Sequence, residues 1–469
     1  MKRIITLILL LVPMHVQGSG LKVSTPILYM DSEGPYAVLN VSWDNAWNNE
    51  TNNDGVWLFF KSILEDGYRH ISVLNEGHTT VAVFTDVNPE LGFEAMSDGA
   101  GVYIYPAIPF RGSISATLRI ALNPESFRGF NTRGASFLAY GIEMVSIPQG
   151  GFQIGSLDTT SLDYGAFYKP NGDGGFGGIV TIESESESFS VGSSGDVYYR
   201  AKGGYEGDQA GEVPNAFPKG VAPFIIMKYE PTEGQYADFL NSLSQAQKAE
   251  RVIHNEDGYT ELGGTIILKE GMFYSLIPNK PSMFMSWADA MAYADWAGLR
   301  PMTELEFTKA ARGTSSPEEG DFPWGTNTKD QVQRFPNEKG KYVMLNGWEE
   351  SDLTDENKKY FGASYYWVMD LAGSLWERVV SIGHEKGRSF MGSHGDGLLS
   401  ANGTATNADW PIGDEESGGV GFRGGGFYGF DREYHEFNPF SPVSYRPYGG
   451  WHGTMRTHSY GARFVRSLE

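Results

Sequence analysis

Sixty of the 469 residues are glycine, most of them in the last two-thirds of the chain, and that share limits the fold more than any other feature. Glycine inside a helix costs about 1 kcal/mol relative to alanine, so long helices are excluded. Many turns and long packed connections follow instead. The 40% hydrophobic and 14% aromatic content still supplies sizeable cores, enough for about two to three domains in a chain of this length.

A net charge of −22 and a pI near 4.8 repel phosphate backbones and anionic headgroups, which excludes nucleic acid as a partner. The acidity reads as solubility charge spread over the surface. At the N-terminus Lys2 and Arg3 precede an apolar run from Ile4 to Val12, followed by Val16 and Gly18. Residues 1–18 therefore read as a signal peptide, too short to span a bilayer. Export to the periplasm, the cell surface or the medium is expected. No later segment approaches about 18 consecutive apolar residues, so no transmembrane segment is expected. Zero cysteines in an exported chain means no disulfide framework, no thiolate metal site and no lipid on a processed N-terminal cysteine. The combination fits a bacterial envelope or secreted protein.

Residues 19–138 read as an all-β sandwich. Ala37, Leu39, Val41 and Trp43 alternate with more polar neighbours, as do Ile114, Ala116, Leu118 and Ile120, the period of half-buried strands. Val56–Phe60, Val81–Phe84 and Val102–Tyr105 lie between turn-rich stretches. Trp43, Trp47 and Trp57 surround a cluster of Asn and Asp. That cluster is either a carbohydrate-stacking or ion-binding loop, or a polar hairpin flanked by core tryptophans. The turn chemistry of Asn and Gly favours the hairpin.

Residues 157–220 form a Gly-, Ser- and acid-rich insertion, in which alternating Glu and Ser from Glu183 to Ser188 read as a solvated edge or loop. Three helix starts follow. Thr232 with Gln235, Ser286 with Asp289 and Thr303 with Glu306 have the spacing at which a hydroxyl caps the helix while the third residue on reaches back. Behind them Tyr236, Phe239 and Leu240, then Trp287, Met291 and Ala294, then Phe307, Ala310 and Ala311 keep helical spacing.

Eight phrases run in order through this region: Gly141–Ser156, Met227–Leu240, Met285–Gly298, Arg300–Gly313, Phe322–Gly325, Val368–Arg378, Arg423–Phe427 and Gly461–Ser467. In this order they resemble the formylglycine-generating enzyme family, also called sulfatase-modifying factors, across about residues 142–469. The resemblance implies a domain over 139–469 with a compact α/β fold of C-type-lectin type, rich in irregular segments. That fold also carries ergothioneine-pathway enzymes and variable ligand-binding proteins, so the fold alone does not decide function.

The family's chemistry is oxidation of a substrate cysteine by oxygen, at copper(I) held by two cysteines shortly after an RGGS phrase. A soft ion of low coordination number prefers thiolate. Here the serine position is Gly426, the first cysteine position falls on Gly429 and the second near Tyr434. Copper-dependent formylglycine generation is therefore excluded, and copper is not expected. Iron in the manner of the ergothioneine-pathway relatives would need His435, His452 and His458. Those relatives draw their histidines from a helical domain that this chain replaces with a β-rich one, and iron is not the favoured reading.

The resemblance also implies a structural calcium under Asp370, Gly373, Leu375 and Glu377, two carboxylates and two backbone carbonyls of the hard-oxygen type calcium takes. The alternative is that Asp370 caps a turn and Glu377 pairs with an arginine. A second family ion at Asn346 has no matching acid. In the variable relatives the stretch corresponding to Tyr428–Tyr460 is the ligand-binding face, and tyrosine-rich loops on a rigid scaffold make good contact surfaces. Trp376, Arg423, Tyr428, Tyr434 and Trp451 form the expected binding set, with Arg423 and Arg463 either meeting an anionic ligand or pinning glycine-rich loops. The chain is thus expected to be an exported non-catalytic binding or structural module of the cell envelope with a protein or glycan ligand. The alternatives are a non-haem iron oxidase or oxygenase on the same scaffold and a polysaccharide-binding protein using the Trp-rich N-terminal region.

Overall fold

The computed structural model describes residues 20–65, 67–85, 89–128, 135–200, 207–328, 354–413, 418–427, 441–451 and 453–468, with the backbone also of 334–336 and 342–344. The fold is mostly β-sheet with few, short helices. Ten strands lead the chain: β1 (Lys22–Val23), β2 (Ile27–Met30), β3 (Pro35–Asn48), β4 (Asp54–Leu64), β5 (Gly67–Ile71), β6 (Thr79–Val83), β7 (Leu91–Ala95), β8 (Val102–Pro106), β9 (Phe110–Ala121) and β10 (Ser136–Ile147).

A five-stranded sheet runs β1-β3-β9-β6, with β2 also on β3. Its alternating residues behave as the period-2 pattern requires: Ala37, Leu39, Val41, Ile114, Ala116, Leu118 and Ile120 are buried and share a core with Val56, Leu58, Phe60, Val102 and Ile104 of a second sheet. A bulge between Trp43 and Ala46 puts Asn45 at φ +54.

The second sheet crosses the whole molecule. It takes β7, β8, β4 and β10, then Phe224–Met227, Phe464–Ser467 and Arg300–Pro301 from the C-terminal part, with β5 on the flank of β4. β10 pairs with β4 from Ser136 to Val145 and with Phe224–Met227 from Met144 to Ile147. Residues 138 and 139, where the composition changes, are thus neighbours inside one strand.

The unbroken apolar run Val56–Phe60 explains this, because a strand covered on both faces loses its alternation. Val56, Leu58 and Phe60 face the five-stranded sheet, while Trp57 and Phe59 enter the core of the C-terminal part, where Phe59 meets Trp296 edge-on at 5.1 Å. Trp43, Trp47 and Trp57 are 1%, 2% and 0% exposed. They are core residues flanking a polar hairpin, so the reading of this cluster as a sugar-stacking face is corrected.

All three expected capping boxes form, before Glu233–Ser242, Trp287–Trp296 and Glu304–Arg312. A fourth, Ser244 with Gln247, starts the short helix Gln245–Ala249. Gly313 ends the third helix at φ +63, where a Cβ would lie 2.1 Å from the Tyr365 ring. In the insertion, the alternating acid run is not wholly solvated: the Glu185 carboxylate accepts the backbone N–H groups of Lys219, Val221 and Ala222 at 2.7, 2.7 and 2.9 Å. Among the described residues no helix is long and apolar enough to cross a membrane.

Candidate functional site

Of the residues singled out from the sequence, Trp376, Glu377 and Arg423 lie on a three-stranded sheet of Val420–Arg423, Trp376–Val380 and Tyr460–Gly461, and Asp370, Gly373 and Leu375 on the segment leading into it. The segment leading into it folds back on itself through left-handed residues, with Trp367, Asp370, Gly373 and Ser374 at φ +67, +63, +79 and +55. Gly373 N–H donates to the Gly424 carbonyl at 3.0 Å and holds this turn against the opposite loop.

At its end Glu377 is buried and bound by Arg463, whose Nε and Nη2 donate to the two carboxylate oxygens at 2.9 and 2.7 Å. Arg463 also donates to the Met227 and Met369 carbonyls at 2.7 and 2.8 Å. Glu230 closes the group by accepting the Leu375 N–H at 3.0 Å and the Ser374 hydroxyl at 2.5 Å. Burial, reinforced by the charge of Glu377, holds the Glu230 carboxyl well above the usual carboxylate range. Burial also raises Glu377, against the opposing pull of Arg463. Glu230 escapes sequence reasoning because its partners lie 144 and 145 positions away.

The group fits a hard cation in part. Glu230, Glu377 and the nearby Asp370 outnumber the one guanidinium. The carbonyls of Leu371 and Leu375 lie 3.3 and 3.8 Å from where a Cβ on Gly424 would sit, a space that glycine leaves open. The arginine pairing offered as the alternative for Glu377 is present, although each carboxylate oxygen retains a second lone pair. Among the described residues no three His, Asp or Glu side chains converge at metal-binding distance, so a calcium here would lean on backbone carbonyls.

Beside this loop lies an aromatic cluster. Trp376 meets Tyr448 edge-on at 5.2 Å and Phe422 at 6.5 Å, while Trp451 lies 5.4, 6.1 and 6.2 Å from Tyr448, Phe422 and Tyr460. Arg378 lies against Phe422 and Tyr460 at 4.8 and 5.3 Å. Its guanidinium donates to the carbonyls of Met285, Gly453 and Met455, and burial pulls its pKa down to about 9. Burial pushes the Tyr460 hydroxyl up to about 12 and raises Tyr448 further. Both phenols are therefore neutral hydrogen-bonding groups at pH 7. Trp376 is buried within the cluster, and Trp451, Tyr448 and Tyr460 are half-buried.

Gly426, at the serine position, has φ +38 and would place a Cβ 2.4 Å from Cδ1 of Trp376. The indole occupies the space a side chain there would need.

Arg423 is not part of this cluster. It is 2% exposed, donates to the carbonyls of Glu304 and Val443 and to the Thr308 hydroxyl, and lies over the Phe307 ring at 4.8 Å. The binding role expected of Arg423 is corrected to that of a pin between its strand, the helix Glu304–Arg312 and the chain at Val443. Arg446 does the same work, donating to both oxygens of Glu304 at 2.8 and 3.0 Å and stacking on Phe167 at 3.9 Å. His458 is half-buried near Phe427 and Phe284, and burial lowers its pKa. Tyr428, Gly429, Tyr434, His435 and His452, with Asn346, lie outside the described residues.

The chain is similar to the formylglycine-generating enzyme of Thermomonospora curvata, 26% identical over 200 residues that cover 36% of this chain and 65% of the relative. It is 34% identical over 101 residues to that of Streptomyces coelicolor, covering 21% of this chain and 32% of the relative. A further relative, the inactive C-alpha-formylglycine-generating enzyme 2 of Mus musculus, is 29% identical over 152 residues, 30% of this chain and 48% of the relative. The chain thus spans less than two-thirds of the length of each. The family profile of the Sulfatase-modifying factor enzyme 1-like domain matches residues 181–468, and the chain belongs to that family.

Proposed function

We propose that this chain is an exported, non-catalytic member of its family that holds a protein or glycan ligand at the half-buried aromatic cluster. The observation that carries the reading is the pairing of Gly426 with Trp376. The position of the family's serine is a glycine whose side-chain space the indole fills, in a chain without a thiol. A copper(I) site built on thiolates has no ligands here. That one relative is named an inactive enzyme agrees with loss of the reaction within the family.

The cluster suits ligand holding. Trp451, Tyr448 and Tyr460 present ring faces and neutral hydroxyls on a sheet stiffened by buried arginines, so little side-chain entropy is lost on contact. Residues 1–18 act as the signal peptide, the five-stranded sheet and strands β4, β7 and β8 of the second sheet form the sandwich, and the family region takes the C-type-lectin type of fold. A structural calcium would be held by Asp370, the carbonyls of Gly373 and Leu375, and Glu377 alongside Arg463, near the space that Gly424 leaves open beside the Leu371 and Leu375 carbonyls.

Oxygen uptake by the purified protein, supplied with copper(I) and a cysteine-containing peptide, tests the reading, with elemental analysis alongside. No uptake above buffer and no stoichiometric copper or iron are expected. Turnover with either metal would overturn the reading, and iron with turnover would establish the oxygenase alternative through His435, His452 and His458.

A further inference from the structure

Asp54, Glu143 and Lys228 stand on one face of three neighbouring strands. Asp54 opens β4 opposite Val145 of β10, and Glu143, two residues earlier on β10, accepts the backbone N–H of Lys228 at 2.9 Å, just past the strand Phe224–Met227. The side chains of Asp54, Glu143 and Lys228 are buried at 0%, 6% and 3% exposure. Lys228 Nζ reaches Oδ2 of Asp54 at 2.8 Å and Oε2 of Glu143 at 3.5 Å, under the Trp47 ring at 4.8 Å.

Three features go beyond what an ion pair requires. A second acid stands at the same ammonium. The backbone N–H of Trp47 donates to Oδ1 of Asp54 at 2.8 Å, on the oxygen that Lys228 leaves alone. A cavity of about 20 Å³ lined by Glu143, Met227 and Tyr229 lies beside them, and that is room for one water.

We propose that Lys228 and Asp54 condense into an internal amide, with Glu143 relaying the protons. Lys228 passes one ammonium proton to Oδ2 of Asp54, which leaves a neutral amine facing a neutral acid. Nζ attacks Cγ, and the charge that forms on Oδ1 meets the Trp47 N–H already in place. Oδ2 then departs as water with a proton from Glu143, which recovers one from Nζ. One C–N bond forms, one C–O bond breaks, one water leaves, and Glu143 ends as it began. No oxidant or other reactant is needed.

The reaction is slow. Burial lowers the Lys228 pKa, but the charges of Asp54, Tyr229 and Glu143 outweigh it and raise the value overall, so the neutral amine is a minor species. Freshly folded chain therefore carries the ion pair, and the amide follows with time. In a chain without cysteine it staples the N-terminal strands to the family region and closes a long loop, which restricts the unfolded chain as a disulfide would.

Mass spectrometry of the full chain, held for about a week near neutral pH, tests this. A form lighter by one water should accumulate, and a trypsin digest should yield the Asp54 peptide joined to the Lys228 peptide, uncut after the acylated lysine. Lys228→Arg keeps a cation and should lose no water. Glu143→Gln keeps the shape and should close at least about tenfold more slowly. Asp54 precedes Gly55, whose backbone nitrogen can also attack Cγ. Loss of water that persists in Lys228→Arg would assign the event to that cyclisation and overturn the proposal. An unchanged mass with no joined peptide, or closure in Glu143→Gln as fast as in the unmodified chain, would overturn it too. The joined peptide is read in the unmodified protein, so the result does not depend on either variant folding.

Discussion

A Cβ on Gly426 would stand 2.4 Å from Cδ1 of Trp376, closer than any relaxed packing allows. Restoring serine at this position therefore displaces the indole from its contacts with Tyr448 and Phe422. Gly426→Ser should destabilise the protein by about 1–3 kcal/mol in urea unfolding, with added strain from φ +38. Trp376→Ala alone should cost about 3–5 kcal/mol. The double variant should cost less than the sum, since the alanine removes the clash. Strict additivity would show that the two residues do not compete for the same space.

Local chemistry explains what the sequence made legible. The capping boxes at Thr232, Ser286 and Thr303 are decided within four residues, and all three helices start where they indicate. Alternation in β3 and β9 likewise names its own buried face. The shared sheet was not legible, because β4 meets β10 across about 80 intervening residues and either strand taken alone fits a separate domain. Glu304 gave no signal either: its arginines arrive from Arg423 and Arg446, both more than 100 residues later. Burial separates a pinning arginine from a binding one, and burial is a property of the assembled fold.

Lys228 binds Asp54 at 2.8 Å with both side chains buried, and Trp57 donates its indole N–H to Ala297 at 2.8 Å. These bonds join the N-terminal strands to the family region through the core. Asp54→Ala leaves a buried ammonium with a more distant carboxylate, Glu143 at 3.5 Å, and the Asn45 carbonyl at 3.4 Å, and should cost about 3–5 kcal/mol. A fragment beginning at residue 139 loses β4 and exposes one edge of β10. It should be aggregated or molten by near-UV circular dichroism, and a cooperative, monomeric fragment would refute the coupling.

The proposed calcium is separable from the Glu377–Arg463 pair by the choice of variant. Glu377→Ala should destabilise by about 3–5 kcal/mol with or without calcium, because it strands a buried guanidinium. Asp370→Gly suits the left-handed backbone at φ +63 and removes only the carboxylate. In the unmodified protein, calcium at about 100 times its Kd should add about 2.7 kcal/mol. Asp370→Gly should abolish that gain. A melting temperature indifferent to calcium and to chelator in the unmodified protein would rule the site out.

Acidity should stabilise this protein through Glu143. Burial pushes its carboxyl from 4.5 up to about 7, against the opposing charge of Lys228 and with help from Asp54. The folded state therefore holds a proton that the unfolded chain releases. This contribution is complete below about pH 4.5 and is lost as pH rises through about 7. Paired carboxylates elsewhere, such as Asp208 lowered by its bonds to Arg388, act in the opposite sense and at lower pH. Glu143→Gln keeps the shape and removes the titration. Unfolding free energies measured from pH 5 to 8 should fall less steeply for Glu143→Gln than for the unmodified protein, with the variant the more stable of the two at pH 8. Parallel profiles would mean that Glu143 titrates in the ordinary range and that Lys228 holds both acids ionised.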